Sequence, residues 1–124
     1  MNMIIHKQEF SNKFEQQTNL FLVLTHPARL AILEILRDGE ECVCHMEAFL
    51  GYRQSYLSQQ LSVLRQAGLV QVRKNWRNVF YRIVDPKIYD VLDAARKIVC
   101  GEELPVLVTK DCPCPKCSQK ARDL

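Results

Sequence analysis

Three observations in the 124-residue sequence predict a mostly α-helical domain with one β-hairpin, a winged helix-turn-helix. The stretch from Arg53 to Ala67 is an amphipathic helix, because Leu57, Leu61 and Leu64 fall at i, i+4 and i+7 on one face. A short apolar helix, His45 to Leu50, precedes it across Gly51, where a tight turn between two helices is expected. Two β-branched, aromatic-rich runs, LVQVRK and VFYRIV, follow it and are joined by Asn75-Trp76-Arg77-Asn78, a four-residue hairpin connection. A hairpin directly after the second helix of such a pair is a wing.

The remaining elements follow from spacing and punctuation. Phe10, Phe14 and Phe21, with Leu20, Leu22 and Leu24, recur at helical intervals and predict a first helix from residue 7 to residue 24. Pro27 suits the first turn of a second helix, whose apolar residues Leu30, Ile32, Leu33, Ile35 and Leu36 run to Asp38-Gly39. Asp85-Pro86 opens a last helix with an apolar stripe of Ile88, Val91, Leu92, Ala95 and Ile98, ending at Gly101. Residues 1–104 therefore form one domain, and residues 105–124 a Pro- and Cys-rich tail. A composition of 48% apolar and 25% charged residues fits a single core. The longest apolar run, LFLVL, is far short of the roughly 20 residues a bilayer-spanning helix needs, so no membrane partner is expected. The start MNMIIHKQEF lacks the charged, apolar and small-residue succession of a signal peptide, and the expected address is the cytoplasm.

The charge is distributed unevenly. From Ala48 to Val84 there is no Asp or Glu, while Arg53, Arg65, Arg73, Lys74, Arg77 and Arg82 supply six positive charges; the rest of the chain nets −3. A segment of one sign interleaved with Tyr52, Tyr56, Trp76, Phe80 and Tyr81 is the footprint of a surface that faces phosphate. It coincides with the helix-turn-helix and wing. The second helix carries Ser55, Ser58, Gln59 and Ser62 opposite its leucines, with Arg53 and Gln54 at its start. In a major groove these side chains reach base edges, and Arg73, Lys74 and Arg77 of the wing follow the phosphate backbone. Trp76 at the wing tip either stacks on a sugar or packs beneath the wing. No nucleophile with a nearby base, no phosphate-cradling glycine loop and no catalytic carboxylate pair is present, so neither an enzyme nor an organic cofactor is expected. A protein-interaction or metal-storage module is the competing class, and the acid-free segment argues against it.

In their order and spacing, HPARLAILEIL, ECVCHMEAFLG, RQSYLSQQLSVLRQAGLVQVRK and VFYRIVDP resemble the ArsR/SmtB family of dimeric winged-helix repressors, over about residues 15 to 100. The resemblance implies a homodimer built on the first and last helices, bound to double-stranded operator DNA and released when an inducer binds. The apolar stripe of the last helix independently calls for burial, and a dimer interface is the natural place.

Six cysteines point to metal binding or redox sensing rather than a disulfide framework. Cys42-Val43-Cys44 sits where the thiophilic-metal sensors of this family carry their CVC box. Residues i and i+2 point apart in a helix and in a strand, so these two thiolates share one ion only where the backbone bends. Thiolates favour soft ions such as arsenite, antimonite, cadmium, lead and, in four-coordinate sites, zinc, and the resemblance implies arsenite or a related thiophilic ion as the inducer. Trivalent arsenic takes three thiolates, but the family's third box cysteine is Glu47 here. The third ligand is then expected from Cys100, or from Cys112, Cys114 or Cys117 in the tail, in the same subunit or the other. Cys100 equally suits a small buried hydrophobe. The tail trio alone closes no structural zinc site. His45 adjoins the pair as a borderline donor, and His26 is placed to cap the second helix. A redox or persulfide sensor is the alternative: family members of that kind use a cysteine in the second helix, where this chain has Glu34, and one at the end of the last helix, matched by Cys100.

Overall fold

Leu57, Leu61 and Leu64 have no solvent exposure, and Ile32, Leu33, Leu36 and Met46 close around them, so the fold is assembled on the leucine stripe that the sequence predicts. The computed structural model describes residues 2–100, with side chains from residue 11 onward. In chain order the elements are α1 (Asn2–Leu24), α2 (Pro27–Ile35) with a 3-10 turn (Leu36–Asp38), β1 (Glu41–Cys42), α3 (Val43–Leu50), α4 (Gln54–Gln66), β2 (Val70–Asn75), β3 (Asn78–Ile83) and α5 (Ile88–Cys100). The predicted class, mostly α with a hairpin wing, is the one observed. Among the described residues no single helix is long and apolar enough to cross a membrane.

Three local features differ from the sequence expectation. Glu41 and Cys42 form a two-residue strand that pairs with β3, Glu41 opposite Tyr81 and Cys42 opposite Phe80, so the wing is a three-stranded antiparallel sheet in the order β1-β3-β2. Asn75 and Asn78 pair with each other, which shortens the hairpin connection from four residues to Trp76-Arg77. Trp76 turns the chain at φ 58°, a conformation that costs an L-residue with a side chain about 1–2 kcal/mol. The last helix begins at Ile88 rather than at Asp85-Pro86; Asp85 instead closes a turn by accepting the Lys87 N–H through its carboxylate (3.0 Å).

The helix-turn-helix is set by Gly51, which ends α3 in the left-handed region at φ 74° and donates its N–H to the Glu47 carbonyl (2.9 Å). His26 occupies the position before α2 but makes no side-chain capping bond; Pro27 opens that helix instead. Gln60, facing inward from α4, accepts a hydrogen bond from Arg29 of α2 (2.8 Å).

The apolar stripe of α5 divides along its length. Ile88 and Tyr89 are buried in this chain's own core, and the Tyr89 hydroxyl donates to the Leu33 carbonyl (2.6 Å). Burial raises the Tyr89 phenol above its ordinary pKa. Ile98 and Val99 at the other end are exposed. Arg37 ties the buried half down: it lies 4.4 Å over the Tyr89 ring and donates to Glu34 (2.8 Å) and Asp93 (2.6 Å).

The hydrogen bonds from Arg37 hold the Asp93 carboxyl below its ordinary value of 3.8. A carboxyl whose pKa is depressed by folding stabilises the fold above its unfolded pKa and loses that contribution as the pH falls through the folded value. Asp93→Asn is therefore expected to melt below the parent protein at neutral pH, with the difference shrinking as the pH drops below the carboxylate range. Thermal melts across that range check it.

Candidate nucleic-acid interface and thiol pair

The α4 residues assigned to base contact share one face. Arg53, Gln54, Ser55, Ser58, Gln59 and Ser62 are all exposed, because burying Leu57, Leu61 and Leu64 turns the opposite side of α4 outward. The α3–turn–α4 unit presents this side without an acidic residue on α4 itself. Lys74 and Arg77 are exposed on the wing, and Trp76 at its tip is 96% exposed, so it does not pack beneath the wing.

Arg73 is placed differently from its neighbours. Its guanidinium is held by the Glu40 carboxylate, with Nη2 at 2.6 Å and Nε at 3.0 Å from the two oxygens, and it lies 4.8 Å from the Phe80 ring centre. The hydrogen bonds to Glu40 raise its pKa further above the ordinary guanidinium value. Glu40 stands 33 residues away in sequence and just outside the acid-free segment, so the charge count of that segment gave no sign of it.

The backbone bend needed to bring Cys42 and Cys44 together is already present. Cys42 ends β1 in an extended conformation (φ −89°, ψ 160°) and Cys44 lies in the first turn of α3, which sets their Cα atoms 5.4 Å apart and joins the two sulfurs in a disulfide. Cys42 also caps α3: its sulfur accepts the His45 N–H at 3.2 Å, at the helix end whose partial positive charge favours an anion. The pair is largely enclosed, with Cys42 only 4% exposed and Cys44 packed beside Phe80. His45 faces Glu41 (Nε2 to Oε2, 3.6 Å) and packs on Phe49 with ring centres 4.3 Å apart.

Cys42, Phe80 and Arg73 form one transverse row of the sheet, Cys42 opposite Phe80 across β1–β3 and Phe80 opposite Arg73 across β3–β2. Directly opposed residues of an antiparallel pair lie on the same face, so the row connects the thiol pair to a wing arginine through one ring. The missing signal was β1, which is too short to show a period of two.

As a thiolate donor set the site offers two sulfurs on one side of a bend, which fits two of the three positions of a pyramidal arsenic. Cys100 does not join them: it is exposed at the last turn of α5, beside Leu30, Glu34 and Arg96, and among the described residues no three metal-ligating side chains gather. Cys112, Cys114 and Cys117 lie outside the described residues.

A polar, outward-facing recognition helix beside a basic three-stranded wing defines a winged helix-turn-helix regulator rather than an enzyme. Residues 26–72 match the model of the family described as bacterial regulatory protein, arsR family. The chain is 35% identical over 97 residues to the biofilm growth-associated repressor of Xylella fastidiosa, covering 78% of this chain and 85% of that one. It is 43% identical over 84 residues to the biofilm growth-associated repressor of Agrobacterium fabrum, covering 68% and 72%. The crystal structure of the transcriptional repressor BigR from Xylella fastidiosa superposes with a TM-score of 0.67 at 35% identity, over 76% of this chain and 96% of that one. The chain belongs to the ArsR family of bacterial regulatory proteins.

Two expectations follow for this face. Glu40→Gln removes the carboxylate that holds Arg73, so DNA affinity should rise and the plot of log affinity against log salt should steepen by about 0.9 for one added phosphate contact. Lys74→Ala or Arg77→Ala should weaken binding to specific and random duplexes alike, whereas Gln59→Ala should lower the affinity for the operator alone; equal losses on both DNAs would show that Gln59 reads no base.

Proposed function

We propose that this protein is a homodimeric repressor that binds operator DNA through α4 and the wing, and that leaves it when arsenite or a related thiophilic ion binds Cys42 and Cys44. The observation that carries the DNA-binding part is the coincidence of the acid-free segment from Ala48 to Val84 with an exposed Ser/Gln face on α4. The dimer is supported by exposed apolar side chains on the first and last helices, Phe14, Phe21 and Leu22 on α1 and Ile98 and Val99 on α5.

The inducer part rests on the placement of the thiols. A ligand that draws both sulfurs to itself acts on the residues that end β1 and begin α3, and therefore on the β1–β3 pairing and on the seat of α3 against α4. If the ligated arrangement differs from the one that fits DNA, the population shifts away from the bound state. The remaining thiolate would come from Cys100 of a second subunit or from Cys112, Cys114 or Cys117. The cytoplasm is the compartment that fits a regulator of this kind.

The sulfur–sulfur bond between Cys42 and Cys44 favours a second reading, in which the signal is oxidation of the dithiol by a disulfide-forming oxidant that takes up the two electrons. The two are separated by titrating reduced protein on fluorescent DNA from upstream of its own gene with arsenite, cadmium, zinc and such an oxidant. Release by near-stoichiometric arsenite is expected; release by oxidant alone would favour the second reading. Cys42→Ser with Cys44→Ser should bind the operator as the parent does and resist release, and continued release by arsenite would place the switch elsewhere.

A further inference from the structure

Trp76 is the most exposed large apolar residue among those described, and nothing in the described fold packs on it. It is also the one tryptophan of the chain. It occupies the first position of a two-residue turn at φ 58°, where Gly or Asn is the ordinary choice, and the paired Asn75 and Asn78 fix the turn beneath it. In the free protein the indole therefore adds strain and buries no surface, so any favourable energy it contributes is realised against a partner.

The surroundings specify what that partner presents. Arg77 follows Trp76 and Lys74 stands two residues before it, both exposed, and no carboxylate occurs between Ala48 and Val84. An apolar plate between two cations matches a surface with an apolar floor and anionic rims. The minor groove of duplex DNA has that form, with deoxyribose walls and phosphate edges, and apolar side chains enter it as wedges.

We propose that Trp76 is a minor-groove probe: its indole enters the groove beside the bases that α4 faces, with Arg77 and Lys74 on the bordering phosphates, and it selects against guanine there. Guanine is the base that places an amino group, N2, on the floor of the minor groove, where it obstructs the ring; A·T pairs leave the floor clear. The wing thus adds a base preference of its own at positions that α4 does not reach. This inference rests on the DNA-binding function proposed above.

The test uses full-length reduced protein and three synthetic duplexes, d(A·T), d(I·C) and d(G·C). Inosine·cytosine keeps the major-groove pattern of G·C and lacks the guanine amino group, so it isolates the minor groove. Tryptophan emission and anisotropy of labelled DNA are read together. The expected result is several-fold tighter binding to d(A·T) and d(I·C) than to d(G·C), with the emission of Trp76 quenched and blue-shifted on the tighter two. Trp76→Gly, which relieves the turn and is checked by thermal melting, should lose about tenfold on d(I·C) and little on d(G·C), in line with the loss of one aromatic–nucleotide contact. Saturable binding with unchanged emission, or a d(I·C) preference that survives in Trp76→Gly, would overturn the inference while leaving the DNA-binding function intact. Failure to bind any duplex would remove both.

Discussion

The pairing of two residues, Glu41 and Cys42, with Tyr81 and Phe80 is the constraint on which the functional arrangement depends. Val70, Tyr81 and Ile83 seat the base of the hairpin on the helical core, and the β1 pairing adds a direct backbone link from the wing to the segment that leads into α3. With it, the segment that begins α3 is also the edge strand of the wing. The helix-turn-helix and the wing are thereby joined along this edge, and a cysteine occupies the joint. The bend from strand to helix at Cys42 has a second consequence, because it alone lets side chains two residues apart converge.

The charge arrangement follows from the same pairing. An exposed arginine on an isolated hairpin would be a mobile phosphate ligand. Arg73 instead lies over Phe80 and is gripped by Glu40, which β1 carries on its N-terminal side. Lys74 and Arg77, one and four residues further on, have no such anchor beside them in the sheet row and remain exposed. The wing therefore presents Lys74 and Arg77 outward, bonds Arg82 to Gln71 across the hairpin and holds Arg73 against the thiol-bearing strand.

Much of this could be read from the sequence, and what could not has a physical cause. α4 was legible because a 3.6-residue period in Leu57, Leu61 and Leu64 leaves a polar complement on the other face, and Gly51 marks the turn before it. β1 was not, since two residues cannot display alternation, and its only local sign is the turn residues Asp38-Gly39 before it. Asn75 and Asn78 have turn propensity yet belong to the ladder, because pairing across the strands decides the register and propensity does not. The stripe of α5 gave the right helix and an incomplete burial: Ile88 and Tyr89 pack into the chain's own core, and only the far end is left for a second subunit. The Glu40–Arg73 contact, between residues 33 apart, had no sequence signature at all.

The scale of the β1 contact suits a switch. A typical regulatory coupling between two sites is about 1–3 kcal/mol. A backbone hydrogen bond contributes roughly 0.5–1.5 kcal/mol net, so the few such bonds that a two-residue strand forms are of the same size. Loss of a central strand would unfold the domain, and rearrangement of an exposed loop would change nothing at the DNA. A short edge strand lies between these extremes: its pairing is of the size that the ligand or oxidised bond proposed for Cys42 and Cys44 would have to shift. Leu57, Leu61 and Leu64 lie in the large core cluster, whereas Cys42 and Phe80 form a separate small one, so a change at the thiol pair proposed above would begin outside the core that seats the recognition helix.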